Sequence, residues 1–554
     1  MGNDLPREQG QETLTPPVYE RLVAIIEAQA AEIRGLKELV QALRDEIARL
    51  KGEQGKPQVR AQVRQDRSSE RERPPDPAPP APTGAAVALR RVVEREEVLR
   101  LDRAQLPASA EHAGYEDYVV QEVVCAAEVV RYRREAFRDP ATGGRWVAPL
   151  PVGINDHFGP QVKALALDLY AVGGMSEPAV LTLLQAVGLQ LSAGTLSAWL
   201  VADLTLLHEE ATAIYQAGLA SAPFQQIDDT LTRLNGQNYH CQVVCNPCYT
   251  SYHTTATKDR LAIVDVLRPG QEGTYRCDVT ALAWLAGVGV SATVRREVAA
   301  ALPQETLLDH AQLRDLLDAR LGHLGSQTRS RIFDALAIAA YQHQTAVPVV
   351  TTLLGDDAGQ FDGVTAERAG CWVHDARHYK RLIPLTWEHQ ALWTIFRQLY
   401  WTFYAAVLAY RRQPSPEEAS RLRVWFIDLF STQTGYRALD ERIAKTKAKQ
   451  TELLAVLDHP ELPLHNNACE LGVRRRVRKR DVSFGPRTAA GAKTWDTLHT
   501  LAATAQQHGV NFLHYLQDRL SGAHQLPSLA SRVTARAAEL DLGKSWRTAA
   551  THGV

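Results

Sequence analysis

Long apolar runs are missing from this 554-residue chain. The most apolar stretch, Ala281 to Val290, is far shorter than the about 20 residues a bilayer span needs. The N-terminal MGNDLPREQG has no apolar signal segment, so the expectation is a soluble protein with no membrane partner. Charge of one sign is also missing: 62 Lys plus Arg against 63 Asp plus Glu leave a net charge of -1. That excludes a globally basic nucleic-acid binder but not a local basic patch. Cysteine is sparse and odd in number, seven dispersed residues, which argues against a disulfide framework and for a reducing cytoplasm. There is no internal repeat and no Gly-x-Ser-x-Gly elbow, and GPRTAAGAKT (485–494) has the wrong spacing for a phosphate-binding P-loop. Plentiful Ala and Arg suggest a bacterial gene.

What is present divides the chain. After a tail, 1–17, residues 18–51 carry a heptad with Ile26, Ile33, Val40 and Ile47 at a and Leu22, Gln29, Leu36, Leu43 and Leu50 at d. β-Branched a with Leu d favours a parallel two-stranded coiled coil, hence a homodimer or higher oligomer; one long helix packed on its own chain is the alternative. The stretch 52–84, ending PPDPAPPAPTG, reads as an extended linker. Residues 85–155 read as a small β-rich region, with strands at Tyr118–Val124 and Glu128–Tyr132 and a turn at ATGGRW (141–146). The region 156–210 is helical. Within it, a helix over about 176–187, a break at Gly188 and a second helix capped by Ser192 make a helix-turn-helix pattern. Ser192, Thr195 and Ser197 of that second helix are candidate DNA contacts, although many helical hairpins never touch DNA.

From 222 the texture becomes α/β. Strands are expected at Phe224–Asp228, Tyr239–Cys245, Tyr249–Thr255 and 346–357, with a helical insert over about 280–342. The segment 222–385 is thus the first part of an α/β core. A helical insertion follows at 386–460, with helices at about 386–411, 415–431 and 434–457. A final core block, 461–522, and a tail, 523–554, complete the chain.

Two acids fall at expected strand ends, Asp228 and Asp356, where open α/β sheets place their sites. Glu470 lies in HNNACELGVRRRVRKR on an expected helix. Three carboxylates brought together suit Mg²⁺, which prefers oxygen ligands, and two such ions can activate an attacking oxygen on phosphorus and stabilise a leaving one. Taken alone, the solvated-acid reading is stronger, because 63 acids offer many triples. The run Arg474, Arg475, Arg476, Arg478, Lys479 and Arg480 beside Glu470 shifts the balance, since a one-sign run suits a phosphodiester backbone. His374 and Arg377 read as phosphate or supporting contacts, Arg377 by bidentate pairing, or else as a buried, satisfied pair. His240, Cys241, Cys245, Cys248 and His253 are close enough in sequence for zinc, but they sit on adjacent strands whose residues alternate faces, so zinc is not expected.

The stretch HNNACELGVRRRVRKRDVSFGPRTAAGAKT resembles the C-terminal signature of the insertion sequence 66 transposase family. IDDT, GCWVHDARHYKRL and LHYLQDRL resemble further blocks of that family, in order across roughly 115–520. The resemblance implies an RNase H-like catalytic core with an Asp-Asp-Glu triad, carried over as Asp228, Asp356 and Glu470. It implies two Mg²⁺ ions, with Mn²⁺ able to substitute, and supporting roles for Asp357, His374, Arg377, Asn466 and Asn467. The implied partners are the DNA of an element's terminal inverted repeats and of its target, in a bacterial, nucleoid-associated cytoplasmic setting; the need for accessory proteins stays open. Three departures stand out. Asp229 replaces the family's usual Glu; Asp356-Asp357 leaves two candidate ligands, of which Asp356 directly follows Gly355; and the Cys-x-x-Cys module of many members is not visible in 85–160. The competing readings are a non-catalytic DNA-binding protein, such as a repressor, and a coiled-coil scaffold.

Overall fold

The computed structural model describes residues 125–551 apart from 155 and 203, together with 98–99, 101 and 115–116. The expected coiled coil (18–51), linker (52–84) and strand 118–124 lie outside the described residues. Two short strands, β1 (Ala136–Arg138) and β2 (Arg145–Val147), pair around the expected turn. Asp139 closes that turn by accepting from the Ala141 N–H and the Thr142 hydroxyl. Residues 128–132 are not a strand: they have no paired neighbour, and Val129 is 95% exposed.

Four helices follow: α1 (Pro160–Ala171), α2 (Glu177–Ala186), α3 (Ala193–Val201) and α4 (Thr205–Ala220). The Ser176 and Ser192 hydroxyls cap α2 and α3 by accepting from the N–H groups of Ala179 and Thr195. Gly188, at φ 97°, turns the chain between them.

The centre is a five-stranded mixed sheet. Three antiparallel strands, β3 (Phe224–Leu234), β4 (Gln237–Asn246) and β5 (Tyr249–Thr255), come first. Asn235-Gly236, both at positive φ, join β3 to β4 in the tight turn that Asn-Gly favours. This hairpin carries β3 to Leu234, so Asp228 lies inside the strand and not at its end. Then come α5 (Arg260–Val266), β6 (Thr274–Arg276), α6 (Val279–Gly287), α7 (Ala292–Ala301), β7 (Leu307–Asp309), α8 (His310–Arg320) and α9 (Ser326–Gln342), with β6 and β7 paired apart from the main sheet. Strands β8 (Thr352–Gly355) and β9 (Glu367–Gly370) return to that sheet, giving the order β5-β4-β3-β8-β9 with β3, β8 and β9 parallel. The strand expected over 346–357 is shortened. Pro348 cannot donate to a ladder, and the Val350 N–H donates to the Tyr341 hydroxyl instead.

The rest is helical: α10 (Trp372–Lys380), α11 (Trp387–Arg412), α12 (Pro416–Leu429), α13 (Arg437–Ala448), α14 (Gln450–Asp458), α15 (Asn467–Ser483), α16 (Ala489–Gln507), α17 (Phe512–Leu520), α18 (Leu529–Leu540) and α19 (Lys544–Thr551). The single helix expected over 434–457 breaks at Lys449. The expected tail holds α18 and α19, which are docked: Leu529 and Val533 are buried, and the Trp546 ring stacks on His459 (3.8 Å) and near Phe224 (5.9 Å).

Helix α16 covers the outer edge of β5. Thr504, Thr500 and Asp496, one helical turn apart each, accept from the N–H groups of Thr250, Tyr252 and Thr254. An open edge is thereby closed by side chains. Helix α15 lies against β3 and β4. Gly472 permits the approach, because a Cβ there would lie 2.9 Å from Val243. Cys241, Cys245 and Cys469 fill a small apolar cluster under this helix with Val243 and Tyr252. No described helix is long and apolar enough to cross a membrane.

Candidate active site

Parallel pairing aligns Gln226 of β3 with Leu354 of β8. Two residues further on are Asp228, inside β3, and Asp356, one residue past the end of β8, so the register brings the two acids near one another. Asp228 accepts from the Asp229 N–H at 2.9 Å, and Asp356 accepts from the Ala358 N–H at 3.1 Å. Burial, then the nearby Asp356 and Glu470, push the Asp228 carboxyl up to about 7, against the Asp229 hydrogen bond, which pulls it down.

Glu470 sits in the first turn of α15. The preceding residue pair fixes this turn against the sheet. Buried Asn466 donates its side-chain N–H to the Ile227 carbonyl at 2.7 Å, one residue before Asp228, and its backbone N–H to the Cys371 sulfur. Asn467 donates its backbone N–H to His465 Nδ1.

Helix α10 supplies the cations. Arg377 Nη2 reaches both Glu470 carboxylate oxygens at 2.8 Å. Its Nη1 donates to His374 Nε2 at 2.8 Å. Arginine cannot accept, so His374 Nε2 must, and the imidazole proton lies on Nδ1, which is buried without a hydrogen-bond partner. Burial, then Arg377, lower the His374 pKa, consistent with a neutral ring. Arg474, one turn beyond Glu470, approaches it to 3.8 Å.

The neighbour Asp357 has a different environment. His378 Nε2 lies 3.1 Å from it and the Lys449 ammonium contacts it directly. The His378 hydrogen bond, outweighing burial and joined by Lys449, holds its carboxyl well below the usual carboxylate range. Asp357 is therefore neutralised by the protein, while Asp228 and Asp356 face one another without such a partner. No motif in the sequence singles out Lys449 or His378. Lys449 is delivered by the break between α13 and α14, which no spacing in the sequence announces.

The basic run is divided by the helix. A continuous stretch at 3.6 residues per turn points all round its axis, so all six cations cannot face one DNA. Arg476 is buried and paired with Asp496 of α16. Lys479 is buried over the Tyr170 ring and donates to the carbonyls of Tyr170 and Met175, with burial pushing its pKa down to about 7. Arg475 binds Gln506, and Arg480 binds the Leu231 carbonyl. Arg474 and Arg478 are exposed, one and two turns from Glu470 on the same face. Ser192, Thr195 and Ser197 lie on α3, apart from the acid cluster, where Ser192 and Thr195 bond one another at 2.9 Å.

As a donor set, Asp228, Asp356 and Glu470 offer the oxygens a hard dication prefers, and a cation would favour the charged form of Asp228, which burial first and then Asp356 disfavour. In this arrangement Glu470 gives both oxygens to Arg377. Among the described residues, no three side chains of His, Cys, Asp or Glu are arranged to hold one ion. The acids suit the group by their chemistry, and Glu470 would have to exchange the Arg377 contact for it.

Comparison with known proteins points the same way. Residues 341–494 match the family described as Transposase IS66 family. That span includes Asp356, the α10 cations, Glu470 and the basic run, but not Asp228. A relative, the uncharacterized protein y4jO of Sinorhizobium fredii (strain NBRC 101917 / NGR234), is 31% identical over 322 residues, 58% of this chain and 99% of that protein.

Proposed function

The chain belongs to the IS66 transposase family, and from that premise we propose that it cuts the ends of a mobile DNA element and joins their 3′-hydroxyls to target DNA. The observation that carries the reading is the placement of Asp228 near Asp356, with Glu470 held against the same strands by Asn466. The mixed sheet, antiparallel on one side of β3 and parallel on the other, supports the RNase H-like core.

In the reaction a water oxygen attacks phosphorus at the element end and the P–O3′ bond breaks, leaving a 3′-hydroxyl. That hydroxyl then attacks a target phosphate in line and displaces its 3′ oxygen. Asp228, Asp356 and Glu470 would hold two Mg²⁺ ions, or Mn²⁺, which supply Lewis acidity at the attacked phosphate. The chain's own residues prepare this site. Asn466 sets the height of Glu470 on β3. His378 and Lys449 neutralise Asp357 and leave Asp356 as the acid facing Asp228. Arg377 guards Glu470 and, once released, is a bidentate donor for a phosphate.

Arg474 and Arg478 follow the backbone away from the cut, with Arg475 and Arg480 at the margin. Helices α2 and α3 form the helix-turn-helix reader, with Ser192, Thr195 and Ser197 on the early turns of α3, where recognition helices meet base edges. The heptad at 18–51, outside the described residues, would pair protomers so that two ends are held in one complex.

The Arg377 contact on Glu470 also favours a second reading, a non-catalytic DNA-binding relative. One assay separates them. A supercoiled plasmid carrying the gene's flanking DNA is incubated with the protein in Mg²⁺ or EDTA beside Glu470→Gln. Metal-dependent breaks at discrete flanking positions, reduced about two orders of magnitude or more in Glu470→Gln, are expected. Breaks undiminished in the variant would sink the catalytic assignment, and shifted DNA without breaks would favour the repressor.

A further inference from the structure

Helix α15 ends in a strained way. Phe484 at its C-terminus adopts φ 58°, ψ 4°, the left-handed region that a bulky residue rarely enters. A glycine is available one residue later and does not take the position. The Phe484 ring gains nothing from the core, since the residue is 84% exposed. The surroundings hold the turn in place. The Phe484 N–H donates to the Arg480 carbonyl at 2.7 Å. Arg480 binds the Leu231 carbonyl, and the Asn235 N–H donates to the Pro486 carbonyl at 3.0 Å. Gly485, at φ 103°, lies so close to β3 that a Cβ would come within 2.5 Å of the Arg233 carbonyl. A strained residue pinned from three sides, with its side chain in solvent, is a feature kept for contact with something else.

We propose that Phe484 is an apolar wedge that enters the base stack of the bound DNA end. The proposal rests on the transposase reading above and adds where and how the end is gripped. Charge selects the partner. Arg233, whose backbone carbonyl the adjoining Gly485 approaches, and Arg487, three residues on, are exposed, as is Arg478 earlier on the helix, and the nearby acid, Asp481, is 3.8 Å from Arg480. The exposed apolar companions, Val482 and Leu231, are too small a patch for a protein interface and suit a wedge beside phosphates. Glu470, Arg474 and Arg478 share one face of the same helix. Phe484 lies about 21 Å beyond Glu470 at ~1.5 Å per residue, the rise of about six base pairs at ~3.4 Å each. The wedge thus acts about six pairs from the phosphate that is cut.

The test uses the full-length protein and duplexes of the element end carrying 2-aminopurine at successive positions. Fluorescence on binding reports unstacking, and anisotropy over a salt series reports affinity. Wild type is expected to brighten the probe at about five to seven pairs from the cut. Phe484→Leu, which keeps an apolar wedge, retains much of that signal. Phe484→Gly, which suits the left-handed backbone and keeps the fold, loses it and binds about tenfold more weakly with an unchanged salt slope, because no phosphate contact is removed. A bound Phe484→Gly complex with the wild-type fluorescence profile would overturn the wedge alone. Failure of the wild type to bind these duplexes at all would overturn the wedge and the DNA reading together.

Discussion

At the scale of single residues, the acid cluster is defined by which carboxylates have cations and which do not. Asp228 is the clearest case. Its carboxyl, raised by burial and by Asp356 and Glu470 to about 7, binds its proton more tightly in the folded chain than in the unfolded one. The associated stability is therefore fully present below about pH 4 and lost as pH rises through 7. Asp228→Asn removes that loss. In thermal melts with EDTA the variant is expected to exceed wild type by on the order of a few kcal/mol at pH 8 and to approach it near pH 4. Equal melting at both pH values would show that Asp228 is not electrostatically frustrated. Arg377 gives the complementary prediction. Arg377→Gln frees Glu470 from its bidentate partner, so Mn²⁺ binding without DNA, followed by calorimetry, is expected to tighten about tenfold, or ~1.4 kcal/mol. Weaker binding would mean that Arg377 orients Glu470 for the ion and does not compete with it.

At the scale of elements, α15 and α16 do the positioning. Helix α15 brings Glu470 to β3, and α16 closes the edge of β5 with Thr504, Thr500 and Asp496. Thr500→Val keeps the shape and removes the acceptor of the Tyr252 N–H. It should cost about 1–3 kcal/mol in urea unfolding, and an unchanged midpoint would show that this edge is not held by α16. The elements also show what can be read from a chain. Ser176 and Ser192 announce their helices, because capping is local chemistry. Asp228 and Asp356 are found because short buried strands are locally patterned. The strand pattern alone ends at Asp228, whereas β3 runs on to Leu234 and the hairpin that Asn235-Gly236 signals. The burial of Arg476 and Lys479 leaves no local trace: a run of cations looks the same whether its partners are phosphates or, as for Arg476, Asp496 on the following helix. Lys449 at Asp357 is invisible for the same reason, since it is a contact made only by folding.

At the scale of the whole molecule, distant segments hold one another. Helices α18 and α19, at the end of the described chain, bury Leu529 and Val533 and set Trp546 against His459 and Phe224. They thereby brace the first residue of β3 and the turn before the Glu470 helix. Removing 526–554 is expected to cost more than about 3 kcal/mol, from two buried aliphatic side chains and a lost aromatic stack. Denaturant unfolding measures the loss, and hydrogen exchange should show β3 amides losing protection with it. Full protection in the truncated chain would show that the C-terminal helices ride on the core without supporting it.

The same arrangement has a consequence in time. A ribosome adds roughly 5–20 residues each second, so roughly ten to fifty seconds separate the synthesis of Asp228 from that of Glu470. During that interval the nascent chain carries first one and then two of the three carboxylates, and the helices that brace β3 come later still. On the proposed function, a partly made chain would lack the third acid, and the capacity to cut would arise only after Glu470 has been added.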